Sequence, residues 1–189
     1  MESPRDGAAV NMRVVLPVVL ALVLVTVAGV VAWAGEGPRV ALVIGNGAYD
    51  TPTVTPLTNP PNDARDVAAA PREIGFDVRT VIDGTHEEMG AALDGFASDL
   101  RDAEVGLFYY AGHGVQVDGT NYLIPVDADL PNAGVVRFRT LAADELLAYM
   151  EDAGAGVNLF FLDACRDNPL PQVSRSLNRG ACAGRATTT

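Results

Sequence analysis

The chain has 189 residues, enough for one domain of ordinary size and a short appendage. Its formal net charge is −11, which argues against a nucleic-acid-binding protein because phosphate contacts need a basic face. Its two cysteines are too few for a disulfide framework, and its two histidines and two cysteines show no zinc-ligand spacing.

The first predicted element is an uncharged apolar run over residues 14–34 that follows Arg13. It reaches the roughly 20 residues needed to cross a bilayer. The run ends in Ala32-Trp33-Ala34, a small-x-small pattern that resembles a signal-peptidase site. We therefore expect residues 1–34 to form a signal peptide or an uncleaved membrane anchor, with a buried core helix as the third interpretation. Both main interpretations predict an exported protein, periplasmic or extracellular, or a membrane-anchored one.

After a linker at residues 35–38, the next stretch predicts a strand and then a helix. The apolar run "RVALVIGN" predicts a buried strand that ends at Gly45. A loop rich in Thr, Pro and Asn leads to a predicted helix over residues 62–74, with Gly75 as its stop signal. Pro71 lies inside this helix, where its missing N–H is expected to kink or shorten the helix.

A second strand and a second helix follow. The segment "FDVRTVID" alternates apolar and polar residues as a half-buried strand does. Thr85 and Glu88 form a capping-box pattern that opens the helix. The large apolar residues of this helix fall on one face: Met89, Leu93, Phe96 and Leu100.

The second half of the chain predicts two more main strands. "VGLFYYAGHG" is the third strand, with His113 just past its end, and "VQVDGTNYLIP" predicts a small hairpin that turns at Asp118-Gly119. Val157 to Asp163 is the fourth main strand. A further helix is marked by spaced apolar residues: Leu141, Leu146, Leu147 and Met150.

Strands that alternate with helices predict an α/β fold, a three-layer sandwich built on a mostly parallel sheet. In such sheets, active sites lie beyond the carboxyl ends of the strands. His113 and Cys165 each follow a predicted strand, and neighbouring strands lie about 4.8 Å apart. We therefore expect a thiol and an imidazole to meet on one rim if these two strands are neighbours.

A thiol beside an imidazole is a candidate nucleophile with its base, because the histidine favours the reactive thiolate. Gly112 and Gly114 flank His113 and allow the backbone to bring an amide close to a substrate oxygen. The backbone amides of Gly114 and Cys165 are therefore candidate oxyanion-hole donors. This pattern is typical of a Cys-His hydrolase. The alternative is that Cys165 is a buried small apolar residue and His113 a hydrogen-bonded loop residue.

Two longer segments carry a resemblance to a known family. "FYYAGHGVQVDGTNYLIPVDA" and "FFLDACRDNP" resemble the His and Cys motifs of bacterial caspase-like peptidases, the group that includes metacaspases. "RVALVIGNGAY" and "PPNDARDVA" are similar to the opening strand and first helix of the same family. The separation of His113 from Cys165 fits the spacing of about 50 residues noted for caspases. We therefore expect a bacterial caspase-like catalytic domain over residues 39–175 and an irregular tail over residues 176–189.

The resemblance implies roles for four residues. His113 is the expected general base and proton shuttle, and Cys165 the expected nucleophile that forms a thioester with a peptide or protein substrate. Asp63 and Asp163 match acids that line the pocket for the residue before the cut. Two carboxylates there prefer a guanidinium or ammonium group, so the resemblance implies an endopeptidase that cleaves after Arg or Lys. The alternatives are a helix N-terminal acid at Asp63 and pairing of Asp163 with Arg166.

The C-terminal part departs from the family pattern. The family's fold continues after the cysteine with two more strands, and residues 166–189 do not resemble strands. We therefore expect these strands to be missing through truncation, a frameshift or degeneration. The loss would leave an exposed sheet edge that invites a partner or a dimer. No cofactor is expected; calcium dependence occurs among metacaspase-like proteins, but the chain shows no EF-hand spacing.

Three other interpretations stay open. A catalytically inactive caspase homologue would act as an interaction module anchored at a membrane. A nucleotide-binding α/β domain is suggested by Gly45-Asn46-Gly47, although the third glycine and the helix start that should follow are absent from the motif. A disulfide between Cys165 and Cys182 after export would block the nucleophile.

Overall fold

The computed structural model describes residues 37–165, and of Cys165 only the backbone. The predictions for residues 1–34 and for the tail therefore lie outside the described residues. The strands are β1 (Arg39–Gly45), β2 (Asp77–Ile82), β3 (Val105–Val117), β4 (Thr120–Leu123), β5 (Leu141–Ala142) and β6 (Val157–Cys165). The helices are α1 (Pro60–Glu73), α2 (His86–Leu100), α3 (Val136–Arg139) and α4 (Ala143–Ala153), with a 3-10 turn at Ala133–Val135. No helix within residues 37–165 has both the length and the apolar character that a membrane span requires.

The strands form one mixed sheet that is mostly parallel, which confirms the predicted fold class. Four parallel strands lie in the order β2-β1-β3-β6. The far end of β3 continues into an antiparallel extension formed with β4 and β5. The two strands that end in the His and Cys motifs, β3 and β6, are direct neighbours.

Helices cover the sheet on both faces because the strand residues point alternately to either side. Val43 points to one face and packs against Ala64 and Ala68 of α1. Leu42 and Ile44 point to the other face, where α2 and α4 complete the larger core. Both side chains are fully buried, which stabilises the fold by about 1.5–3 kcal/mol for each.

Local sequence features explain where α1 and α2 begin. The helix predicted from residue 62 begins at Pro60, because proline at the first helical positions lacks only an N–H that would be unpaired there. The predicted capping box of α2 is confirmed: Thr85 N donates to Glu88 Oε2 at 2.9 Å, and Glu88 N donates to Thr85 Oγ1 at 3.3 Å. The predicted apolar face of α2 is also buried: Met89, Leu93, Phe96 and Leu100.

Two placements differ from the sequence predictions. Leu141 lies in β5 and not in the last helix, because it pairs with Leu123 of the hairpin and α4 begins only at Ala143. His113 lies within β3 and not beyond it, because β3 continues into the hairpin with β4. The hairpin turns where predicted, with φ of 51° at Asp118 and 89° at Gly119, as a type I′ turn requires.

Among the described residues, β6 pairs with β3 alone. Two large apolar side chains of β6 are partly exposed, Val157 at 40% and Phe161 at 38%. An unpaired edge with apolar side chains is a site where another strand can add. The dimer or partner expected at this edge stays a prediction.

Candidate active site

His113 and Cys165 occupy paired positions on neighbouring parallel strands. The register of β3 and β6 runs from Val105 opposite Val157 to His113 opposite Cys165. Because adjacent strands lie about 4.8 Å apart, the backbones of the two residues are side by side. The carboxyl-terminal rim of the sheet therefore brings the two predicted catalytic residues together. Gly114, the predicted oxyanion donor, is at the same rim: a Cβ added to it would lie 3.2 Å from Cβ of Ala164.

The ring of His113 is buried and held by one nitrogen. Nε2 lies 2.9 Å from the carbonyl oxygen of Thr55. A carbonyl oxygen only accepts, so Nε2 carries the proton and Nδ1 of the neutral ring holds the lone pair. Nδ1 is buried and has no hydrogen-bond partner among the described atoms, which do not include the Cys165 side chain. This nitrogen is the one that can act as a base.

The backbone of His113 is held as firmly as its ring. Its N–H donates to the hydroxyl of Tyr49 at 2.8 Å, and its carbonyl accepts from the hydroxyl of Tyr110 at 2.8 Å. The ring of Tyr49 also packs on the imidazole, with centroids 4.9 Å apart. Gly112 permits this arrangement, since its φ is +154° and an added Cβ would lie 2.6 Å from the Tyr110 hydroxyl.

The two predicted specificity acids act on one tyrosine. Tyr109 donates from its hydroxyl to Asp163 Oδ2 at 3.3 Å. Burial raises the pKa of Tyr109 to about 12, and the charge of Asp163, the hydrogen bond to it and the charge of Asp63 add to the rise. Asp63 lies in the first turn of α1, which also fits the helix-terminus interpretation. Neither carboxylate forms an ion pair with an arginine of residues 37–165, and Arg166 lies outside them.

The sequence profile described as "Caspase domain" matches residues 38–186. The chain belongs to the caspase domain family.

Known proteins resemble this caspase domain in sequence and in fold. It is 36% identical over 129 residues to mucosa-associated lymphoid tissue lymphoma translocation protein 1 of Homo sapiens and to its homolog in Mus musculus. The match covers 68% of this chain and 15% of each relative's length. The crystal structure of protein GSU0716 from Geobacter sulfurreducens is also similar, with a TM-score of 0.52 and 25% identity. That likeness covers 68% of this chain and 51% of the other.

Residues that the sequence analysis passed over complete the rim of this caspase domain. Tyr49 and Tyr109 both lie inside the motifs that carry the resemblance, so the motifs contain them without showing their roles. Thr55 contributes a main-chain carbonyl from the irregular loop between β1 and α1. A backbone acceptor leaves no side-chain pattern, so sequence reasoning had no means of finding it.

The backbone N–H groups of the glycine motif after β1 are hydrogen-bonded within the protein. The N–H groups of Gly47 and Ala48 both donate to Asp83 Oδ1 at 2.8 Å. The buried side chain of Asn46 is bound to main-chain groups of Gly84 and Ile124. The amides that would cradle a phosphate are thus taken by a carboxylate whose charge repels phosphate. The geometry argues against a nucleotide site in this loop.

Within residues 37–165, no three or more His, Cys, Asp or Glu side chains come together in a way that could hold a metal ion. The expectation that no cofactor is needed, with calcium as a possibility raised by the resemblance, stays a prediction.

Proposed function

We propose that this caspase domain is a cysteine endopeptidase in which Cys165 is the nucleophile and His113 the base. The observation that carries the proposal is the pairing of His113 with Cys165 at the rim. It is supported by the state of the imidazole, whose Nε2 donates to Thr55 while Nδ1 has no partner among the described residues. Membership of the caspase domain family supports the reaction class and a protein or peptide substrate.

The proposed reaction is acyl transfer in two steps. His113 Nδ1 takes the thiol proton of Cys165, and the thiolate attacks the carbonyl carbon of the scissile peptide bond. The amides of Gly114 and Cys165 donate to the oxyanion of the tetrahedral intermediate. The imidazolium then gives its proton to the leaving nitrogen as the C–N bond breaks, which releases an amine and leaves a thioester.

The second step regenerates the enzyme. His113 takes a proton from water as the water oxygen attacks the thioester carbonyl. The C–S bond breaks, the acid product leaves, and the thiolate of Cys165 recovers its proton from the imidazolium. Throughout both steps the Thr55 carbonyl accepts from Nε2–H, which keeps the ring oriented and stabilises its positive charge.

We propose that the substrate residue before the cut is Arg or Lys. Asp163 is exposed and Asp63 is half-buried, and the charges of both act on Tyr109. Two carboxylates that are not paired with a described arginine favour a cationic side chain, with which they form charge-assisted hydrogen bonds. Arginine can engage them in a bidentate manner, whereas lysine offers a single ammonium group.

Peptide hydrolysis tests the proposal directly. The full-length protein, Cys165→Ala and His113→Ala are assayed on fluorogenic peptides ending in Arg, Lys or Asp, with and without calcium. We expect turnover of the Arg and Lys peptides by the wild type and loss of that turnover in both variants. Equal lack of turnover from folded wild type and folded Cys165→Ala would contradict the proposal and favour the inactive interaction module. Turnover of the Asp peptide alone would contradict the specificity.

A further inference from the structure

We propose that Tyr49 is a positioning residue for His113: the Tyr49 phenol oxygen accepts the His113 N–H at a point of the active-site rim where neither β1 nor β4 offers an acceptor. The role in catalysis rests on the proposed function above, whereas the positioning itself does not. The observation that carries it is the 2.8 Å hydrogen bond from His113 N–H to the Tyr49 hydroxyl.

The way the strands pair explains why the His113 N–H needs a side-chain acceptor. The pairing of β1 with β3 ends at Gly45 opposite Ala111, and the pairing of β4 with β3 begins at Leu123 opposite Gly114. On this side of β3, which is opposite the side that pairs with β6, His113 lies in the interval between these two ladders. Its N–H, buried with the rest of the residue, takes no acceptor from either strand and finds one in the Tyr49 side chain.

The hydrogen-bond partners of Tyr49 and Tyr110 determine which hydroxyl donates and which accepts. Tyr110 donates toward the carbonyls of His113 at 2.8 Å and Ile124 at 3.0 Å, and both of these groups only accept. The proton between the two hydroxyls, 3.4 Å apart, must therefore come from Tyr49. This leaves the lone pairs of the Tyr49 oxygen for His113 N–H. The two phenols together bind both polar groups of the His113 backbone.

Both phenols stay neutral over the physiological range. Burial raises the pKa of Tyr49 to about 12 and raises the pKa of Tyr110 well above its ordinary value. The side chains are also enclosed by the core, with exposed fractions of 3% for Tyr49 and 0% for Tyr110. The hydrogen bonds to His113 therefore persist across the pH range in which a thiol and an imidazole exchange a proton.

Loss of the Tyr49 oxygen would release the part of the backbone that is easiest to rotate. Gly112 has a φ of +154° and no side chain to restrict rotation of the following peptide, which carries the His113 N–H. Without its acceptor, the His113 N–H turns toward another partner, and the imidazole moves with it. The 2.9 Å contact between Nε2 and the Thr55 carbonyl then weakens. In a fraction of the molecules the ring proton moves to Nδ1, which gives a mixture of the two tautomers.

The tautomer of His113 reports this change without any need for turnover. We would label the histidine rings of the full-length protein with ¹⁵N and record the ring-nitrogen signals by NMR for wild type, Tyr49→Phe, Tyr110→Phe and Tyr149→Phe. The exposed His86 is the internal reference. Tyr149 is 46% exposed on α4 and serves as the matched control for removal of a hydroxyl.

We expect a single Nε2–H tautomer at His113 in the wild type and in Tyr149→Phe. Tyr49→Phe should show a mixture of tautomers, and Tyr110→Phe should change in the same direction by less. On Arg-ended peptides, Tyr49→Phe should lower kcat by about ten- to a hundred-fold at nearly constant KM, since misplacement of a catalytic group acts on the chemical step.

A wild-type tautomer signal in folded Tyr49→Phe would overturn the proposal. If Tyr49→Phe does not fold, hydrogen exchange of the wild-type protein decides the question: a His113 amide that exchanges as fast as an exposed backbone N–H would overturn the proposal. A wild type that hydrolyses no peptide contradicts the endopeptidase function, while the tautomer comparison still decides whether Tyr49 positions His113.

Discussion

The imidazole Nε2 of His113 lies 2.9 Å from the main-chain oxygen of Thr55, a residue 58 positions earlier in the chain. This contact links the third strand to the loop between β1 and α1. It assigns the ring proton to Nε2, since a carbonyl cannot donate, and it leaves Nδ1 as the basic nitrogen. The position of that loop therefore controls the chemical state of the predicted base.

Gly47→Ala tests the link between the loop and the histidine. A Cβ at Gly47 would clash with the Leu57 carbonyl oxygen and lie 2.8 Å from Pro61 Cδ, so the loop that carries Thr55 must shift. We expect a loss of about ten- to a hundred-fold in kcat on an Arg-ended peptide. The matched control is Gly90→Ala in α2, where an added Cβ meets nothing within 4 Å. This control should keep full activity and gain about 0.5–1 kcal/mol of stability. Unchanged kcat in folded Gly47→Ala would contradict the link.

Asp163→Asn tests the predicted choice of a basic substrate residue. Removing the charge should lower kcat/KM for Arg- and Lys-ended peptides by about ten- to a hundred-fold, because a charge-assisted hydrogen bond contributes about 1.5–3 kcal/mol. Asp63→Asn should act in the same direction. Asp152→Asn, at an exposed site on α4, is the matched control and should change nothing. If the wild type cleaves these peptides and neither acid matters for them, the assignment of the pocket fails.

The buried tyrosines predict a loss of stability in alkali. Burial raises the pKa of Tyr49 to about 12 from an ordinary value of 10.0. The folded state therefore holds this proton more tightly than the unfolded state does. The resulting stability is fully present below pH 10 and is lost as the pH rises toward 12. For Tyr49 alone, the loss is about 3 kcal/mol.

Urea unfolding between pH 9 and pH 12 measures this loss. The free energy of unfolding of the wild type should fall steeply above pH 10, and Tyr49→Phe should show a smaller fall because one titrating group is gone. Tyr149→Phe should follow the wild-type curve. Identical slopes for wild type and Tyr49→Phe would show that the phenol is not held in a buried, neutral state.

Thr85→Ala tests the capping box of α2 independently of the active site. Removing the hydroxyl leaves Glu88 N without its acceptor and should cost about 0.5–2 kcal/mol of stability in urea unfolding. Ser98→Ala is the control, since Ser98 is exposed and its hydroxyl accepts only from Arg101 within the described residues. Equal stability of the two variants would show that the cap contributes little to this fold.

The sequence predicted those parts of the fold that depend on neighbouring residues. The capping box at Thr85, the turn at Asp118-Gly119 and the apolar strands all follow from local hydrogen bonding, turn chemistry and alternation. The predictions were wrong where pairing between residues distant in sequence overrides local preference. Leu141 was predicted in a helix but is drawn into β5 by the hairpin, and β3 runs past His113 because β4 pairs with its far end.

The candidate site also has a part that the sequence predicted and a part that required the structure. His113, Cys165, Asp63 and Asp163 could be named from the sequence, because strand ends and family motifs mark them there. The sequence alone could not show that His113 and Cys165 share a register position. These residues are 52 positions apart, and the pairing of their strands depends on how the whole sheet assembles.

The chain by itself therefore determined which chemical groups are available, namely a thiol, an imidazole and two carboxylates. Tertiary structure decided how the imidazole is used. The Thr55 carbonyl and the Tyr49 hydroxyl reach His113 from a loop more than 50 residues away in sequence, at 2.9 Å and 2.8 Å. Contacts of this kind leave no periodic pattern, because they arise only when packed layers bring distant backbone and side-chain atoms together.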